Sequence, residues 1–62
     1  MSKGRFIQVY SSLPDNIRKE IIVVIDDKPY TWDAAYIEVY NDTALGKKII
    51  RKMQKMGLVE ND

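Results

Sequence analysis

Apolar positions along this chain recur with more than one period. In residues 43–56, Leu45, Ile49, Ile50, Met53 and Met56 return every three or four positions. That spacing predicts a helix with one apolar stripe, and Gly57 is suited to end it. Residues 31–41, "TWDAAYIEVYN", predict a second helix just upstream. Trp32, Tyr36 and Tyr40 lie four apart, with Ala35 and Val39 beside them. Thr31 can cap this helix, and Asp33 can help to satisfy its first turn. Asn41 and Asp42 break it, and either Asp42 or Thr43 can cap the next.

The first half reads differently. Residues 21–25, "IIVVI", are all β-branched; they lose side-chain freedom in a helix and pack well on a sheet. A strand is therefore expected near 19–25, followed by a reversal through "DDKPY" and a short strand at 29–31. Pro29 has no N–H and belongs at a sheet edge or a strand start. The same region admits a helical reading, because Ile17, Ile21, Val24 and Ile25 also fall on one helical face. Further upstream, Phe6, Ile7, Val9 and Tyr10 alternate imperfectly and predict a first strand at 5–10. The stretch "SSLPDN" is a turn or loop.

The expected fold class is α+β: a small antiparallel sheet of two to three N-terminal strands packed against two C-terminal helices. The alternative is a small winged-helix-like three-helix domain. Two successive helices ending in "KMQKMGLV" resemble a winged helix at the level of fold, which transfers no function. Residues 1–62 are expected to form one small domain, with flexible ends at 1–4 and 60–62.

Size sharpens the problem of stability. A chain of 62 residues buries only about 60% of the surface its unfolded form exposes. It has no cysteine, so disulfides, thiolate metal sites, a cysteine nucleophile and a disulfide-linked partner are excluded. Oligomerisation is the remaining way to extend the core. The longest apolar run, "IIVVI", is far too short for a membrane span. The N-terminus has two cations but no long apolar stretch after them. A cytoplasmic location without a membrane partner is the expectation.

Net charge is +1, yet its distribution is uneven. Residues 1–25 carry +2, residues 26–46 carry −4 and residues 47–62 carry +3. A dipolar surface of this kind suits a nucleic acid, self-association or a charged partner. Lys47, Lys48, Arg51, Lys52 and Lys55 project from the apolar stripe of the last helix or flank it. They are the candidate nucleic-acid-binding residues, able to follow phosphates without reading bases. Lys3, Arg5, Arg18 and Lys19 are candidate helpers. The two helices and their short junction permit a helix-turn-helix reading. Against it, Asp33, Glu38 and Asp42 would repel a duplex lying across both helices, and groups suited to base recognition are sparse. Lysines also solvate the outer face of many amphipathic helices, which needs no ligand at all.

The aromatic group is the second candidate. Trp32, Tyr36 and Tyr40 are candidate interface residues, able to anchor a protein contact or stack bases. Trp32 is better suited to a core or an interface anchor than to stacking bases, with Tyr36 and Tyr40 half-buried and their hydroxyls wet. Tyr10 and Phe6 are further candidates for the same group.

Catalysis has little support. The chain has no histidine, which removes the usual acid–base group near neutral pH and the Ser-His-Asp and His-metal arrangements. Asp26, Asp27, Asp33, Glu38 and Asp42 do not follow an EF-hand loop. "LGKK" lacks the glycine-rich lead of a phosphate-binding loop. The expected function is a non-enzymatic binding module without cofactor or metal, contacting nucleic-acid phosphates through the basic helix. The alternative is a homo- or hetero-oligomeric protein-interaction module that uses the aromatic helix and complementary acidic and basic surfaces. Its partner is then a second copy or an acidic protein.

Overall fold

The computed structural model describes residues 3–59. The chain runs through α1 (Lys3–Ser11), α2 (Asp15–Arg18), β1 (Ile21–Ile25), β2 (Lys28–Thr31), α3 (Trp32–Tyr40) and α4 (Ala44–Lys55). It is a small α+β fold with a two-stranded antiparallel sheet packed against several helices. The hairpin precedes the α3–α4 pair. Of the ends expected to be flexible, residues 1–2 and 60–62 lie outside the described residues, and Lys3 and Gly4 form the first turn of α1.

Residues 5–10 are helical, which corrects the expected first strand. Phe6, Val9, Tyr10 and Leu13 recur at intervals of three and four, and all of them pack at or against the core. That is the helical period, and it explains why the alternation in this stretch is imperfect. The loop expected at 11–16 also contains the start of α2. Pro14 stands just before that short helix with an extended backbone, where its missing N–H costs nothing.

The strand reading of residues 21–25 holds, as does the reversal after it. Asp26 and Asp27 both take positive φ, 50° and 68°, and they link the paired Ile25 and Lys28. Two left-handed central residues make a type I′ turn, whose twist matches that of the strands. Pro29 pairs with Val24, one step beyond the pair that closes the turn. In an antiparallel ladder that position is not hydrogen-bonded, so proline breaks no bond there. The register shifts between Ile21 and Val23. The extra residue re-aims the strand, so that Ile22 is half-buried beside the buried Val23.

The helix boundaries follow from their caps. Thr31 accepts a hydrogen bond from the Ala34 N–H at 3.1 Å and caps α3. Thr43, rather than Asp42, caps α4 by accepting from the Gly46 N–H at 2.9 Å. Asp42 has φ 55° and serves instead as the left-handed residue that ends α3. The Asp42 and Thr43 N–H groups return to the Val39 and Glu38 carbonyls, the Schellman pattern. Gly57, at φ 78°, ends α4 in the same way, with the Leu58 N–H donating to the Met53 carbonyl at 2.9 Å.

One core joins these elements. Phe6, Val23, Trp32, Ala35, Val39, Ile49, Ile50, Met53 and Val59 are buried together. Val59 thus docks the segment after α4 onto the core. The α3–α4 contact is close because position 46 has no side chain. A Cβ on Gly46 would lie 2.9 Å from Val39 Cα and still nearer the Glu38 carbonyl.

Candidate functional site

The aromatic residues of α1 and α3 build one continuous stack. Phe6 and Tyr10 lie four apart on α1, as do Trp32, Tyr36 and Tyr40 on α3, so each set faces along one side of its helix. Phe6 meets Trp32 at 5.7 Å between ring centroids. Tyr10 stacks on Tyr36 at 4.3 Å with 14° between planes, and Tyr36 lies 5.6 Å from Tyr40. Offset aromatic pairs at these distances each contribute roughly 0.5–1.5 kcal/mol beyond area burial.

Polar contacts hold the stack in place. The Tyr10 hydroxyl donates to Asp33 Oδ1 at 2.5 Å. The Arg18 guanidinium sits over the Tyr10 ring, 4.4 Å from its centroid, and its Nε donates to the Tyr10 carbonyl at 3.2 Å. Lys3 Nζ lies 5.3 Å from the Tyr40 centroid and 3.0 Å from Asp42 Oδ2. Cations over aromatic faces are attracted by the ring quadrupole. The hydrogen bond to Asp33 holds the Tyr10 phenol above its ordinary pKa, assisted by burial and by the nearby Asp33 charge.

The stack runs from the core to solvent. Trp32 is 7% exposed and belongs to the core, whereas Tyr36 is half-buried and Tyr40 is 56% exposed. Ile37, on the side of α3 turned away from Ala35 and Val39, is 58% exposed. Ile37 and Tyr40 therefore form an open apolar patch at the end of a rigid aromatic column. Asp33 stands one turn before Ile37 and Asp42 two residues after Tyr40, their carboxylates engaged by the Tyr10 hydroxyl and by Lys3. Glu38 accepts from the Thr43 hydroxyl at 2.7 Å.

The five candidate cations lie on the other helix. Lys47, Lys48, Arg51, Lys52 and Lys55 are all exposed, because the buried Gly46, Ile49, Ile50 and Met53 turn the opposite side of α4 inward. Among the described residues, Lys48 alone of the five meets an acid, Asp26 at 3.7 Å. An exposed pair of this length adds little stability. Lys3 and Arg18 are occupied at the aromatic column, so neither extends the α4 face. The candidate interface residues likewise divide, with Trp32 in the core and Tyr36 and Tyr40 toward solvent.

Sequence reasoning missed Ile37 and the two cations on the aromatic rings. Ile37 was findable: Ala35 and Val39 mark the inward side of the helix, and residue 37 falls roughly opposite both. Lys3 over Tyr40 and Arg18 over Tyr10 depend on how α1 and α2 dock, which no local pattern records.

Apolar side chains are also exposed on β1, at Ile21 and Val24, and after α4, at Met56 and Leu58. An open depression of about 400 Å³ between α1 and the turn after α4 is lined by Arg5, Gln8, Val9, Gly57 and Leu58. It contains neither an acid nor a nucleophile. Among the described residues, no three acids converge as a metal would require, and no helix is long and apolar enough to cross a membrane. No family model, curated protein or solved structure matches the chain.

Proposed function

We propose that this protein is a non-enzymatic protein-interaction module whose contact surface is the outer side of α3. The exposed pair Ile37 and Tyr40 at the end of the aromatic column carries the reading. Tyrosine supplies contact area at low conformational cost when its ring is already fixed, and such anchors dominate interface energetics. Tyr40 is fixed by Tyr36 on one side and Lys3 on another. Asp33 and Asp42, at the two ends of this stretch, favour a basic partner surface.

A nucleic acid is the competing occupant, and the open cations of α4 are the observation that favours it. A photo-cross-linking amino acid at position 37, 51 or 16 separates the two readings in cells. Position 16, exposed in α2, is the control. The proposal expects a protease-sensitive, nuclease-resistant adduct at position 37 that position 16 lacks. A nuclease-sensitive adduct at position 51 with none at 37 supports nucleic-acid contact instead. No adduct above control at either site contradicts both.

A further inference from the structure

The structure assigns the partner of α3: a second copy of this chain, which presents the basic face of its own α4 to the Ile37–Tyr40 patch. This inference rests on reading the outer side of α3 as a contact surface. It adds who occupies that surface and through which residues.

Charge complementarity carries it. The acids nearest the Ile37–Tyr40 patch are Asp33, one turn before Ile37, and Asp42, two residues after Tyr40; Asp33 also accepts from Tyr10 and Asp42 also pairs with Lys3. The same chain displays Lys47, Arg51, Lys52 and Lys55 without an acidic partner among the described residues. The spans also match. Residues 33–40 of α3 and 47–55 of α4 cover about 11 and 12 Å of helix at 1.5 Å per residue. Lysine and arginine stems are apolar up to their charged ends, so they can cover Ile37 and the open edge of Tyr40 while their heads reach Asp33 and Asp42.

Symmetry makes the exchange reciprocal. α3 and α4 are neighbours in one chain, so a two-fold axis that sets α3 on the partner's α4 also sets α4 on the partner's α3. One closed dimer then satisfies both surfaces. The dimer also gives a very small core the extra burial it lacks. Because its attraction is largely between exposed charges, association weakens as salt shortens the Debye length.

The test uses the full chain, and the absence of native cysteine makes engineered thiols unique. Sedimentation equilibrium at about 1–500 µM, a range that reports weak association, is run on the wild type, Ile37→Ser and Arg51→Glu/Lys52→Glu. Far-UV circular dichroism checks that each variant is folded; all three positions are exposed. The proposal expects a wild-type dimer, with the dissociation constant raised at least about tenfold in both variants. Ile37→Cys and Arg51→Cys chains, mixed with a short bis-maleimide, should give chiefly the mixed 37–51 adduct. A wild-type monomer throughout overturns the proposal. It leaves the α3 reading to the cellular cross-link at position 37, where a different polypeptide would keep that reading alive. A dimer that links 37 to 37 overturns the α3–α4 exchange while retaining α3 as the contact face. A dimer that links neither position overturns both.

Discussion

Tyr36 stacks on Tyr10 at 4.3 Å between ring centroids, and this contact ties α3 to α1. The Tyr10 hydroxyl bonds Asp33 on the same helix as Tyr36. One residue of α1 therefore fixes α3 by its ring face and by its oxygen. Tyr10→Phe keeps the ring and removes the bond, so it should cost about 1 kcal/mol in denaturant unfolding. Because the raised phenol pKa belongs to the folded chain, its contribution is fully present below the ordinary value of 10.0. It is lost as pH rises through the folded pKa. The wild type should thus lose more stability than Tyr10→Phe between about pH 8 and pH 11. Equal losses would remove the hydrogen bond from the account.

Gly46→Ala should destabilise the fold although alanine is the better helix former. Its methyl group would enter the space of Val39 Cα and the Glu38 carbonyl, forcing α3 and α4 apart. Overpacking of this kind costs about 1–3 kcal/mol, against a helix-propensity gain of about 1 kcal/mol. Gly4→Ala is the matched control, because a Cβ there meets nothing within 4 Å. It should be neutral or stabilising. Thermal midpoints of the two variants, moving in opposite directions from wild type or with only Gly46→Ala falling, check this.

The hairpin turn can be improved. Asp27 holds φ 68°, a conformation in which a side chain costs roughly 1–2 kcal/mol. Asp27→Gly should raise the unfolding free energy by up to about 1 kcal/mol. A lowered urea midpoint would contradict the type I′ assignment.

Phe6→Ala should bring the protein close to unfolding. Phe6 has 0% exposure and contacts Trp32 at the inner end of the aromatic column. Its loss costs about 3–5 kcal/mol, comparable with the total stability of a chain this size, roughly 3–9 kcal/mol. Circular dichroism melts should show a shallow, early transition. Retention of a wild-type midpoint would contradict the placement of Phe6.

Most of the helical half was legible in the sequence, and the reasons are local. Thr31 and Thr43 precede apolar stripes of helical period, and Gly57 supplies the left-handed residue that stops α4. "IIVVI" followed by "DD" identified the hairpin from β-branching and turn chemistry. Residues 5–10 misled because Phe6, Ile7, Val9 and Tyr10 fit both periods over so few positions. Only the packing of Phe6 and Tyr10 against α3 decides for the helix. The candidate site was half legible. The outward cations of α4 follow from its apolar stripe. A core Trp32 beside wetter tyrosines was legible too; how far Tyr40 opens to solvent was not, because it depends on where α1 covers α3.

A dilution series of amide nitrogen–proton correlation spectra, from about 1 mM to 10 µM, probes association at the concentrations where a weak interface titrates. The account predicts concentration-dependent shifts at Asp33, Ile37, Tyr40 and Asn41 of α3 and at Lys48, Arg51, Lys52 and Lys55 of α4, with the hairpin at 21–31 unchanged. Spectra that do not change with concentration, or shifts confined to the hairpin, would contradict it.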